Sequence, residues 1–249
     1  MKRNIVVMIL VVWGTILHAE PQESFVFLSK ISRLEQSLLA YTKYHFLSHA
    51  FPEKGQYAAQ AETYYKHYED GMRQVSIDLK REKNHRMLRH FIDAKDQVNI
   101  WRASGQSSGD YQKLLAAIAE TEKAIHQMTE TKILALSPRQ HILYVLVHMQ
   151  MLLEGVAQDY ILMHGWHKTK ALQKSLQKRV QDLEQDIGQC KRYGSWSAKE
   201  QKTVNRMIQT WTVLKKALDQ PDLPLVIVLG TQHMAARVSE LQASSEYDW

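Results

Sequence analysis

The sequence predicts an all-α protein, and three observations carry that prediction. Only 10 glycines and 5 prolines punctuate 249 residues, whereas a sheet protein of this length needs many more turn signals. Long runs are rich in Ala, Leu, Gln, Lys and Glu, residues that favour helix. Apolar residues recur every three or four positions, and strand-like alternation never persists. With 45% apolar residues the chain has enough to build a packed core.

The first residues read as an export signal. Lys2 and Arg3 precede an apolar run from Ile5 to Leu17, and Leu17-His18-Ala19 presents aliphatic or small groups where a signal peptidase reads. Cleavage is expected after Ala19, making residues 1–19 a signal peptide and the protein periplasmic. The run is shorter than the roughly 20 residues of a membrane span. An uncleaved N-terminal anchor is the alternative. Removal of Lys2 and Arg3 leaves 30 basic against 26 acidic residues, a mild surplus that does not argue for nucleic acid.

The first helix is expected from Ser24 to Ala50, with Phe25, Leu28, Ile31, Leu34, Leu38, Tyr41 and Phe46 at helical spacing. It stops at Phe51-Pro52, since proline biases the residue before it away from helix. The second spans Gly55 to Lys83; its Tyr64-Tyr65-His67-Tyr68 cluster reads as core packing in preference to a ligand cage. The third covers Asn84 to Ala103 and ends in Ser104-Gly105-Gln106-Ser107-Ser108-Gly109, a loop signal. The fourth begins at Asp110. A fifth follows from Leu136 to Met163, where Ser137 can cap and Pro138 suits the first helical position. Its apolar stripe predicts a broad buried face, and His148, Gln150, Glu154, Gln158 and Asp159 rule it out as a membrane span. The sixth runs from Trp166 to Cys190. The seventh is capped by Ser197, with Glu200 completing a capping box, and reaches Leu218. After Pro221-Asp222-Leu223-Pro224 the last helix covers Leu225 to Gln242, leaving a loose tail to Trp249.

The order of four helices occurs twice. Leu28-Ser29 and Leu136-Ser137 are 108 residues apart, and Trp101 and Trp211, each late in a third helix, are 110 apart. Near-equal offsets predict two tandem four-helix bundle modules, residues 20–135 and 136–249.

Residues 138–146, Pro-Arg-Gln-His-Ile-Leu-Tyr-Val-Leu, carry a resemblance. They are similar to the A-G-R-Q-R-M-L-S-Q-R motif of the PilJ-type sensor module of type IV pilus chemotaxis transducers and, more distantly, of NarX-type nitrate/nitrite sensor kinases. Arg139, Gln140 and Leu143 match, Ile142 replaces methionine, and a third-helix tryptophan accompanies the motif as Trp101 and Trp211 do here. The resemblance implies a periplasmic four-helix sensor in two copies that forms homodimers and holds a small anion such as nitrate between protomers. The motif arginine before Met-Leu would be the anion contact. In the second copy that position is His141, a departure; the 108-residue offset carries it to Arg33 in the first. Arg33, Arg139 and His141 are therefore the candidate ligand-binding residues. A guanidinium suits the role because its planar fork of donors matches a planar oxyanion.

Sharper chemistries find no support. Cys-x-x-Cys-His, H-E-x-x-H and G-x-S-x-G do not occur, so neither an enzyme nor a haem protein is expected, and no cofactor is. His141 and His148 lie about 10 Å apart along a helix, too far to share an ion, and His164 with His167 lacks further ligands. Cys190 is the sole cysteine and reads as a half-buried free thiol. Lys168, Lys170, Lys174, Lys178 and Arg179 form a basic stripe expected to face solvent. The functional expectation is a non-enzymatic ligand-binding or sensory input protein that presents its signal to a membrane receptor. The competing expectation is a structural protein that binds another envelope protein through its helix faces.

Overall fold

The computed structural model describes residues 3–81, 83–103, 108–134, 136–165, 169–220 and 223–246; within the helices, the side chains of 3–22, 108–111, 126, 128–131, 165 and 245–246 are not described. These residues form helices and no strand. In chain order they are α1 (Arg3–Ala50), α2 (Gln56–Arg81), α3 (His85–Ala103), α4 (Ser108–Ile133), α5 (Pro138–Gly165), α6 (Lys170–Arg192), α7 (Ala198–Leu218) and α8 (Pro224–Glu246). The protein is all-α, as its periodicity and turn scarcity predict. Among the described residues no helix is long and apolar enough to cross a membrane. Helix α1 starts well before Ser24 and passes Ala19 without a break.

Local chemistry sets the ends. Helix α1 stops before Pro52, with the Phe51 amide still donating to Leu47 O at 2.9 Å. Helix α2 closes when Lys83 takes φ +56°, which lets the Asn84 amide donate to Leu79 O at 2.9 Å. Asn84 then turns outward and its Oδ1 accepts from the Met87 amide at 3.1 Å, starting α3. Helix α5 opens with a reciprocal box: Gln140 N donates to Ser137 Oγ at 3.3 Å and Ser137 N to Gln140 Oε1 at 3.0 Å. The box anticipated at α7 is present, with Ser197 and Glu200 exchanging the same two bonds. Helix α6 begins at Lys170, later than Trp166, because Thr169 is extended and its hydroxyl accepts from Leu172 N at 3.2 Å. Residues 166–168, which the sequence assigns to this helix, lie outside the described residues.

The chain divides into two compact units that are not contiguous in sequence. One comprises Met1–Ile31 and Met72–His141, the other Ser32–Gly71 and Ile142–Trp249. Helices α1 and α2 each contribute to both. In the first unit α3 packs along α4, burying Met87, Phe91, Ala94, Val98 and Trp101 at alternating steps of four and three, opposite Leu114, Ile118 and Ile125 of α4. Thr121 Oγ1 donates to His90 O at 3.2 Å across this pair. Lys30 of α1 donates to Asp78 of α2 at 2.7 Å, and Lys132 Nζ lies 4.8 Å from the Phe27 ring centroid.

The second unit is organised around α5. From Ile142 to Leu162 every residue is buried except His148 and Gln150, which are half-buried. The apolar stripe predicts one broad inward face; the helix is instead enclosed on all sides, because Val147, Met151 and Ile161 fill what would have been its outer surface. Helices α7 and α8 pack closely, and Gly230 has no side chain where Leu214 Cδ1 stands, 2.6 Å from where a Cβ would sit.

Lys83 supplies a test. A side chain in the left-handed region is strained, and glycine removes that strain while adding some freedom to the unfolded chain. Lys83→Gly should raise stability by about 0.5–1 kcal/mol in thermal or urea unfolding, a gain that no loss of a contact can produce.

Candidate functional site

The ionisable groups of α5 make the most distinctive feature of the second unit. Burying a charge is costly unless it is paired, so each such group on an enclosed helix must find its partner on a neighbour. Glu154 pairs with Lys43 of α1, whose side chain is 0% exposed. Asp159 pairs with Arg179 of α6: the Nε stands 3.1 Å from Oδ2, and Ser175 Oγ donates to the same oxygen at 2.7 Å. His148 Nδ1 stands 2.7 Å from Asp186 Oδ2 of α6. Gln150 Nε2 donates to Ser239 Oγ of α8 at 2.8 Å. Tyr160 Oη donates to Gln220 O at 2.5 Å and accepts from Leu223 N at 3.2 Å, tying α5 to the α7–α8 turn. One helix is thus fastened by polar groups to α1, α6, α8 and a turn.

Gly155 is part of this arrangement. A Cβ there would lie 1.8 Å from Arg179 Nη1 and 2.6 Å from Cζ, so the bare backbone of α5 admits the guanidinium that reaches Asp159. The sequence groups Arg179 with the exposed basic stripe. The structure corrects that: Lys170, Lys174 and Lys178 are exposed, whereas Arg179 is buried, because the carboxylate one turn beyond the glycine draws it inward. Lys168 lies outside the described residues.

Around the Lys43–Glu154 pair stands an aromatic stack. Tyr44 lies against Tyr64, with centroids 5.4 Å apart and planes 9° apart, and against Tyr57 at 6.2 Å. Lys43 Nζ sits 4.2 Å from the centre of the Tyr44 ring, a cation–π contact. Gln232 Nε2 of α8 donates to Tyr44 Oη at 2.6 Å. Burial, then the charge of Glu154 and the neighbouring Tyr44, push the Tyr64 phenol up to about 12, so it stays protonated in neutral solution. Of the Tyr64-Tyr65-His67-Tyr68 run, Tyr68 is buried, Tyr64 and Tyr65 are half-buried and His67 is exposed, so the core reading holds fully for Tyr68 alone.

His148 combines opposing influences. Burial favours the neutral ring, but the hydrogen bond and charge of Asp186, reinforced by Glu35 and Asp182, outweigh it and raise its pKa above the ordinary 6.5. Tyr144 stacks on the imidazole at 5.9 Å. Cys190 is fully buried rather than half-buried, with its Sγ 3.7 Å from Met149 Sδ. Burial and Asp186 push its thiol up to about 12, which makes it a poor nucleophile.

The residues singled out by the sequence lie elsewhere. Arg33 is exposed on α1 in the second unit, its carbonyl accepting from Ser37 Oγ at 2.9 Å. Arg139 and His141 are half-buried in the first turn of α5 and belong to the first unit, and the His141 amide donates to Ser137 O at 2.8 Å. Lys43, Gly155, Arg179 and Asp186 were not singled out as pairing residues. The available signal was the presence of Glu154 and Asp159 inside an otherwise apolar run, which demands cations from neighbouring helices.

A cleft of about 280 Å³ lies between α7 and α8, lined by Lys199, Glu200, Thr203, Glu240, Ala243 and Ser244. Its carboxylates already accept from Thr203 and Ser244 hydroxyls. Among the described residues, no group of three or more His, Cys, Asp or Glu is arranged to hold a metal ion.

Three variants test the buried arrangement. Glu154→Ala strands Lys43 and should destabilise by about 3–5 kcal/mol in urea unfolding, while Lys43→Met with Glu154→Leu should recover most of that loss. Gly155→Ala would gain about 1 kcal/mol from helix propensity in open space. Here displacement of Arg179 from Asp159 should dominate, giving a net loss of about 1–3 kcal/mol. Comparison with protein-family models, with curated proteins and with solved structures found no match.

Proposed function

We propose that the chain is an exported, non-enzymatic input protein whose helices register a bound small anion or partner protein and pass the change along their length. The observation that carries this reading is the sharing of α1 and α2: each is one continuous helix with residues in both compact units. A helix with an unbroken hydrogen-bond ladder moves largely as a rod, so a shift at one point is felt along it. Arg33 is exposed on α1 and offers five donors in a plane, the chemistry for nitrate, nitrite or a small carboxylate. In this reading the two runs of four helices descend from one PilJ-like module, as their 108-residue offset suggests. The protein would act as a homodimer on the periplasmic side, signalling to a membrane receptor of the type IV pilus chemotaxis kind.

A second reading is favoured by a different observation. Val213 of α7 and Val226 and Leu229 of α8 are 70%, 49% and 57% exposed near the turn that joins these helices. Apolar side chains left in solvent on one hairpin suit a structural protein that binds an envelope partner.

Calorimetric titration separates the two. With nitrate, nitrite and acetate as probes, the anion reading expects saturable heat for at least one of them. Arg33→Ala should weaken that binding by at least about tenfold, the effect of losing one charge-assisted bond of about 1.4 kcal/mol. Flat traces for all three anions remove the anion reading and leave the interaction reading.

A further inference from the structure

We infer that the His148–Asp186 contact is a pH-sensitive clasp between α5 and α6, closed in mildly acidic solution and loosened as the imidazole gives up its proton. The inference rests on geometry independent of any ligand. His148 Nδ1 stands 2.7 Å from Asp186 Oδ2, and Gln189 Nε2 donates to the other oxygen, Oδ1, at 3.3 Å. The carboxylate is thereby aimed at the ring from a helix it must hold in place.

The titratable groups set against the imidazole come from three helices. Asp186 and Asp182 belong to α6, Glu35 to α1, and Tyr144 to α5 itself. Asp186 and Glu35 are buried, at 6% and 8% exposure. With the ring protonated, one positive charge lies among three carboxylates. With it neutral, that positive charge is gone, and the attraction between the ring and the three carboxylates goes with it in a medium that screens charge poorly. The neutral ring can still donate from Nδ1, so the contact weakens without breaking. The side chain of His148 is 28% exposed, so protons reach it without unfolding.

The sign follows from the direction of the shift. The folded state holds the proton more tightly than the unfolded chain, whose imidazole titrates near the ordinary 6.5. The extra stability is fully present below that value and is lost as pH rises through the higher folded value. Mild alkali, not mild acid, loosens the clasp.

The test is thermal unfolding of the full chain between about pH 5.5 and about pH 8.5, the range in which imidazoles titrate. The wild-type Tm should fall across this range by about 2–4 °C more than that of His148→Gln, which keeps a polar side chain but cannot titrate. Parallel curves for the two proteins would overturn the clasp. Should the variant not fold, ring-labelled histidine NMR of the wild type decides. One imidazole should titrate above 6.5, with α6 amides from Asp182 to Cys190 shifting at the same midpoint. Absence of such an imidazole, or α6 amides indifferent to it, would overturn the proposal equally. Asp186→Asn should lower that midpoint.

Discussion

The second unit depends on a single constraint: α5 is enclosed on every side and still carries ionisable groups, so each must meet a countercharge or donor from a particular neighbour. Burial of the apolar residues alone would hold α5 among its neighbours with little to choose between one register and the next. A shift of one turn would leave Glu154 without Lys43 and Asp159 without Arg179. An unpaired buried charge costs about 3–5 kcal/mol, against a total stability of about 5–15 kcal/mol for a domain. The pairs therefore decide which packing survives more than they add to the stability of the one that does. Gly155 belongs to the same logic, since the guanidinium reaches its carboxylate only across bare backbone.

Helix identity and helix ends were largely legible in the sequence, for local reasons. Ser197 with Glu200, Ser137 with Pro138, and Pro52 act over three or four residues, and each stands where its chemistry requires. What lay beyond reach was pairing between helices. Lys43 reads as one polar residue at the edge of an apolar stripe, and nothing within α1 says that it faces Glu154, 111 residues away. Arg179 was assigned to solvent because it follows Lys170, Lys174 and Lys178, yet it lies one position off their four-residue spacing. On a helix that step is about 100° of rotation, enough to turn it inward. The enclosure of α5 was half legible: its stripe announced a buried face, and the Val and Ile residues between stripe positions were the sign that no face was free.

Candidate binding residues were the least legible part. Arg33, Arg139 and His141 came from a short motif and an offset, which specify positions along a chain and say nothing of pockets. The structure puts Arg33 on an exposed surface of α1 and divides the three between its compact units. The buried polar chemistry lies instead along the middle of α5, where the charged groups are matched to one another and make a frame for the fold. Among these groups His148 combines an imidazole raised above the ordinary 6.5 with a side chain 28% exposed, which places it, and not Lys43 or Arg179, to respond to pH.

Native-state hydrogen exchange followed residue by residue tests the central role of α5 most directly. If α5 is the enclosed and multiply fastened helix described here, amides from Ile142 to Leu162 exchange only through global unfolding and are the slowest in the second unit, slower than those of α6, α7 and α8. Exchange along α5 at the rate of those outer helices, or opening of α5 at a lower free energy than global unfolding, would contradict the account.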